Sequence, residues 1–279
     1  MWQVRIIAFQ PNDIHVFLNE KALALVDAKS RQKLKQFYHK EDAFRGLIAR
    51  LLPRLLVKEY DIGSEDLFFG TTQHGKPYMT ITSAAPIGYN ITHDNGLIGM
   101  VYSTGDDLFA DPPAYRLGID VMKLSPPKGE RIIDFINIFS EQLTALERSI
   151  LLTNPPLPES ETLRRFYLIW TLKEAYTKAL GLGLGFDFRQ IEYDVPRDKV
   201  RINGNPPIGW QFVRFQVNNM ESGQEYTYVG VAARFVSERN GGEQEVEGKV
   251  ESEYPNNWLK IQSAVSFMEE ASLKLGNWN

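Results

Sequence analysis

Helical periodicity gives way to strand periodicity twice along this chain, and that order narrows its fold more than any other feature. Residues 28–60 place Leu34, Phe37 and Tyr38, then Phe44, Leu47, Ile48, Leu51, Leu52 and Leu55, at helical spacing. The stretch "IGYNITHDNGLIGMVYS" then reads as strand, polar turn at 92–96, strand: a hairpin. A connector at 106–114 leads to an apolar strand at 115–124. Helical patterns follow at 131–152 and 161–180, with "TALE" (144–147) as a capping box and Gly181 as a C-cap. Strands are predicted at 190–195, 199–203, 210–217 and 226–235, and another at 2–9. Helices then strands, twice over, predict an α+β fold of two lobes with a boundary near 106–114. The expected division is a lobe over 1–105, a second over 115–236, an acidic flexible linker over 237–255, and an amphipathic helix over 256–277 carrying Trp258, Ile261, Val265, Met268 and Leu273.

The chain has 279 residues, 43% of them hydrophobic and 12% aromatic, which supports a real core rather than disorder. No apolar run reaches transmembrane length, and "MWQVRIIAFQ" lacks the features of a secretion signal. Cysteine is absent, so thiolate metal sites and disulfides are excluded, and a cytoplasmic location is expected. The net charge of −4 argues against nucleic acid as the main partner. Yet nine Lys and Arg face two acids between Lys29 and Lys58, a local patch suited to a small polyanion.

Within "WTLKEAYTKALGLGLGF", Trp170, Glu174 and Lys178 follow one another at four-residue steps, drifting about 40° each around a helix. Glu174 and Lys178 can be a plain i,i+4 ion pair worth ~0.3–0.5 kcal/mol. Asp120 gives them another meaning. It interrupts the apolar strand "LGIDVM", where a carboxylate is costly to bury unless paired or coordinated; a strand-end Asp capping a loop is the alternative. Together Asp120 and Glu174 suit magnesium, which takes one or two protein carboxylates and fills its remaining positions with water and phosphate. Phosphate-binding candidates are Lys178, Lys173, Lys76, His93 in the polar turn "THDNG", and the basic 31–50 segment. The run "GLGLG" follows a helix instead of leading into one, so it is no dinucleotide loop; it lets the chain leave the helix and pass close to a ligand or partner.

These segments, "KQFYHKEDAFRGLIARLL", "HGKPYM", "YNITHD", "LGIDVMKL" and "WTLKEAYTKALGLG", resemble in their order the 4′-phosphopantetheinyl transferases, over roughly residues 1–236. The resemblance is to the large synthetase-activating type, nearest its eukaryotic members. It implies a monomer of two similar α+β lobes related by a pseudo-two-fold axis, with the active site between them. It further implies that coenzyme A is the co-substrate, that adenosine 3′,5′-bisphosphate leaves, and that serines of apo carrier proteins of fatty-acid, polyketide and nonribosomal peptide synthases and of aminoadipate reductase are acceptors, with no nucleic acid or membrane partner. By resemblance Asp120 and Glu174 hold Mg2+, Lys178 contacts the attacked phosphate, Thr92 and His93 meet the diphosphate, and Lys76 lies at the nucleotide. Arg31, Lys33 and Arg45 would serve the adenosine and its 3′-phosphate, and Lys173 is a further cofactor-binding candidate. Glu147 matches an acid near the metal, so that Glu174 or Glu147 accepts the serine proton. Where many bacterial members have Asp-x-Glu, this chain has Asp120-Val121-Met122, and a thioether is a poor magnesium ligand. A non-catalytic module binding carrier protein or coenzyme A is the alternative of another class, and a different phosphotransferase a third.

Overall fold

The computed structural model describes residues 2–105, 108, 112–126, 131–182, 185–236 and 249–276. The first lobe runs β1 (Trp2–Ala8), α1 (Pro11–Phe17), α2 (Glu20–Leu23), α3 (Ala28–Lys35), α4 (Lys40–Glu59), β2 (Leu67–Thr71), β3 (Pro77–Ile81), β4 (Ile87–Asp94) and β5 (Leu97–Thr104). The second runs β6 (Leu117–Lys123), α5 (Ile132–Ile138), α6 (Ala145–Leu151), α7 (Glu159–Leu180), β7 (Ile191–Asp194), β8 (Lys199–Ile202), β9 (Trp210–Glu221) and β10 (Gln224–Phe235). β11 (Lys249–Glu251), β12 (Leu259–Ser263) and α8 (Ala264–Leu275) follow. The architecture is mixed α+β with two sheet-rich lobes. Among the described residues no helix is long and apolar enough to cross a membrane.

Each lobe opens with a strand, passes through helices, and ends in a hairpin whose last strand pairs antiparallel with the first. The sheet orders β12-β1-β5-β4 and β6-β10-β9-β11-β8-β7 therefore share one core, β1-β5-β4 in the first lobe and β6-β10-β9 in the second. α4 buries Phe44, Leu47, Ile48, Leu51, Leu52 and Leu55 against the first sheet, and α7 buries Phe166, Ile169, Leu172 and Ala175 against the second. A third cluster joins the lobes: Val4, Ile6 and Val101 meet Leu117, Ile119 and Val121, with Phe215, Tyr228 and Trp258 closing it.

β4 and β6 lie side by side without main-chain pairing, and polar side chains of β4 replace the missing ladder. Asn90 Oδ1 accepts from Ile119 N (3.2 Å), Thr92 Oγ1 donates to Asp120 Oδ1 (3.1 Å), and Asp94 Oδ2 accepts from Lys123 N (2.7 Å). These three residues alternate along β4, as the two-residue period of a strand requires.

Several expectations are corrected. The helix read over 28–60 is two: α3 ends at Lys35, and α4 restarts from an extended His39 with Glu41 and Asp42 in its first turn, where acids complement the helix dipole. The 131–152 helix divides likewise, because the Thr144–Glu147 capping box begins α6 afresh. His93 sits within β4; the hairpin turn is only Asn95-Gly96, with Asn95 at φ +44°. Of the expected linker, 237–248 lies outside the described residues, but 249–251 is β11, parallel to β9. The expected helix over 256–277 begins only at Ala264. Residues 259–263 form β12 instead, drawn into strand by the open edge of β1, with which they pair in parallel. Ile261, Val265 and Leu273 are accordingly exposed, and the buried stripe is Ala264, Phe267, Met268, Ala271 and Leu275.

Candidate functional site

β6 and α7 meet at Gly118. A Cβ there would stand 1.9 Å from Ala175 O, so only glycine lets the helix lie this close to the strand. Asp120, two residues on, points to the same side and faces the last two turns of α7. It is 6% exposed. Its Oδ1 accepts from Lys178 Nζ at 2.6 Å and from Thr92, while Lys178 Nζ also stands 3.4 Å from Thr92 Oγ1. Its Oδ2 is buried and finds no hydrogen-bond partner among the described residues. Burial pushes the Asp120 carboxyl upward, opposed by Lys178 and Thr92. Glu174 is half-buried one turn before Lys178; burial and the charge of Asp120 push its carboxyl upward, while Lys178 pulls it down.

Two carboxylates close enough that Asp120 raises the proton affinity of Glu174, one with a buried oxygen unpartnered among the described residues, are a donor set that wants a cation. Met122, the next residue on this face of β6, packs against the α7 side and offers no oxygen. Among the described residues no group of three or more His, Cys, Asp or Glu gathers to hold a metal. An ion held by Asp120 and Glu174 would thus take its other ligands from water and substrate, which is how magnesium is bound beside phosphates.

His93 projects from β4 on the same side as Ile91. Partial burial and the cations Arg45 and Lys178 hold its imidazole below the usual range, against Asp42 and Asp94. Ile91 and Pro77 line both a groove of about 220 Å³ containing Lys76, Asn90 and Lys178 and a cavity of about 720 Å³ containing Lys33, Arg50, Arg54, Phe68 and Tyr89. The two share these wall residues, and each is lined by cations. The larger cavity is of the size that holds a small ligand.

The structure brings Asp120, Glu174, Lys178, Thr92 and His93 together and separates the other candidates. Lys33 reaches the larger cavity. Arg31 lies in a neighbouring groove, donating through Nε to Leu23 O at 3.1 Å. Arg45 stands beside His93 instead, bound to Asp42 Oδ1 at 2.7 Å and Asn95 O at 2.9 Å. Lys76 lines the smaller groove, but its Nζ donates at 2.6 Å to both Tyr115 O and Ala179 O. It thereby ties the first lobe to the carbonyl end of α7, where a cation is favoured.

Glu147 and Lys173 are corrected: neither is at this site. Both are almost entirely buried, and their mutual bond of 2.7 Å is enclosed by main chain. A group with no exposed surface and no free valence meets no substrate. Trp170 also turns away, into an aromatic cluster with Phe139, Phe166 and Phe188. The sequence carried a signal for this, since Lys173 shares its helix flank with Ile169, Tyr176 and Thr177, all buried. Arg50 and Arg54 were missed as individuals within the basic segment, although with Gly46 they form an i,i+4 row on α4, Arg50 Nη1 donating to Gly46 O at 2.7 Å.

Residues 116–229 match the family profile of the 4′-phosphopantetheinyl transferase superfamily, and residues 15–104 match that of the 4′-phosphopantetheinyl transferase N-terminal region. A 4′-phosphopantetheinyl transferase from Paxillus involutus is 48% identical over 243 residues, 85% of this chain and 89% of that protein. The rat L-aminoadipate-semialdehyde dehydrogenase-phosphopantetheinyl transferase is 31% identical over 179 residues, 62% of this chain and about half (54%) of the rat protein. A 4′-phosphopantetheinyl transferase from Bacillus subtilis is 30% identical over 166 residues, 59% of this chain and 64% of that protein.

Proposed function

Since the chain belongs to the 4′-phosphopantetheinyl transferase family, we propose that it moves the 4′-phosphopantetheine arm of coenzyme A to a serine of apo carrier proteins, releasing adenosine 3′,5′-bisphosphate with the aid of magnesium. That it is an enzyme transferring phosphopantetheine to carrier proteins follows from the family; the remainder is our reading of the site. The observation that carries it is the buried Oδ2 of Asp120, unpartnered among the described residues, close to Glu174 and to Lys178, which lines the smaller groove.

In this reading Arg50, Arg54 and Lys33 hold the adenosine bisphosphate end in the larger cavity, and Tyr89 and Phe68 flank it. The diphosphate lies against Lys178, Thr92 and His93. Asp120 and Glu174 would hold a magnesium ion, which when bound would supply positive charge against the charge that develops on the leaving group. Lys178 donates hydrogen bonds to the phosphate that receives the serine. His93 donates a hydrogen bond to the diphosphate from the β4 side. The serine oxygen bonds to the pantetheine-bearing phosphorus, and the bond to the adenosine 5′-phosphate breaks. Glu174 takes the serine proton, directly or through one water. Glu147 cannot, being sealed inside.

We extend the reading to carrier domains of fatty-acid, polyketide and nonribosomal peptide synthases, and, by analogy with the rat relative, to aminoadipate reductase. We place the enzyme in the cytoplasm as a monomer. The test mixes the purified chain with apo carrier protein, coenzyme A and Mg2+. A carrier heavier by one phosphopantetheine, dependent on the divalent ion, is expected; co-elution without a mass change would make the chain a binding module instead.

A further inference from the structure

Lys173 and Glu147 form a buried ion pair outside the site, and every donor and acceptor of the pair is spoken for. The ammonium donates to Gln142 O (2.8 Å), Glu147 Oε2 (2.7 Å) and Phe188 O (3.0 Å). The carboxylate also accepts from Thr144 N (2.8 Å) through Oε2 and from Tyr193 N (3.0 Å) through Oε1. One side chain of α7 is thereby fastened to the turn before α6, to α6 itself, to the turn after α7, and to β7. Stability alone does not call for such a pair, since apolar groups of the same volume usually serve as well.

We propose that the Lys173–Glu147 pair is a positioning device for the transfer step: it fixes the roll of α7 about its own axis and so aims Glu174 and Lys178 at Asp120. The inference rests on the transferase reading above. Its geometry is that of a rod held at two flanks. At 3.6 residues per turn, Lys173 and Ala175 lie about 160° apart around the helix, and Glu174 stands about 100° from each on the wider arc. The Lys173 flank is fastened by the pair, and the Ala175 flank lies against Gly118 of β6. With a carboxyl tip about 5–6 Å from the axis, a roll of about 20° would carry Glu174 some ~2 Å. A misplacement of about 1 Å in a reacting group can cost on the order of a hundredfold in rate.

The test compares Lys173→Met, Glu147→Gln and the double variant with the native chain, reading Mn2+ affinity without carrier protein, kcat for transfer, and amide exchange along residues 174–180. Each single change is expected to lower Mn2+ affinity and kcat together, on the order of ten- to a hundredfold. The double variant should lose no more than the poorer single, because both changes cut one link. The acid limb of the pH–kcat profile should persist in Glu147→Gln. Losses that multiply in the double variant would overturn the proposal, as would a fall in kcat with Mn2+ affinity intact, which would give Glu147 a direct part in the chemistry. If Lys173→Met does not fold, Glu147→Gln, which keeps the side chain's shape, carries the same measurements. If the native chain binds no divalent ion, the transferase reading fails instead, and the exchange experiment alone decides: unchanged protection of 174–180 in the variants would refute the positioning role.

Discussion

Burial pushes the carboxyls of Asp120 and Glu174 above their ordinary 3.8 and 4.5, and the sign of the consequence follows from linkage. The stability each contributes is fully present below its ordinary value and is lost as pH rises through the raised folded one. The ion-free chain should therefore soften with rising pH across that window, and a divalent ion should restore more melting temperature the higher the pH. Calorimetry with and without Mg2+ checks this; an ion effect independent of pH would contradict it. Glu174→Ala should leave a folded protein whose transfer rate has fallen at least about a thousandfold, near the scale of other lost charge-stabilising groups. His93 shifts the other way. Its folded pKa lies below 6.5, so its share of stability is present above 6.5 and lost as pH falls through the lower value. Its NMR titration should show a midpoint under 6.5 in the free chain and a higher one once coenzyme A brings negative charge. Arg50→Gln should weaken coenzyme A by about tenfold, the order of one charged hydrogen bond, and dephospho-coenzyme A much less. Equal losses for both ligands would place the 3′-phosphate elsewhere.

The elements that carry strong periodicity were legible before any coordinates: α7, the β4–β5 hairpin, β6 and the β9–β10 hairpin stand close to where alternation and capping put them. Asp120 was legible because a carboxylate in an apolar strand has few uses, and Glu174 with Lys178 because their spacing stacks them. Lys173 misled because a lysine beside a site acid was read by its charge instead of by its helix flank, and Glu147 because a capping-box acid already has a partner. β12 was hidden for a different reason. A five-residue strand whose only cause is the unpaired edge of β1, some 250 residues earlier, leaves no local mark. The joint between β6 and α7 also belongs to this scale. Gly118→Ala must displace the carbonyl of Ala175, and overpacking of this kind costs typically about 1–3 kcal/mol. That should appear as a melting point lower by roughly 3–10 °C in a chain of this length. The same variant should lose activity beyond its loss of stability, because the shifted helix carries Glu174; full activity in the surviving folded fraction would show the contact to be only structural.

At the scale of the molecule, the site exists because two similar lobes each supply part of it. Thr92 and His93 come from the first, and Asp120, Glu174 and Lys178 from the second. The chain beyond residue 236 visits both. β11 lies between β9 and β8 in one sheet, and β12 extends the other beside β1, with Val4 N donating to Trp258 O at 2.8 Å. Trp258 is 3% exposed and shares the interlobe core with Trp2 and Phe215. Trp258→Ala should cost about 3–5 kcal/mol in urea unfolding, the usual range for a buried tryptophan. It should also broaden the transition as the lobes begin to melt separately; a loss under 1 kcal/mol with one sharp transition would show that the lobes hold without it.

The placement of β12 sets a timetable. On a ribosome β1 emerges long before its parallel neighbour, which lies some 250 residues later in the chain. A nascent polypeptide stalled near residue 236 would expose a bare hydrogen-bonding edge on β1, open to pairing with any extended segment nearby. Completion of the first sheet is thus a late event, and fragments from interrupted synthesis should be recognised by chaperones as unfinished rather than persist as a half-active lobe.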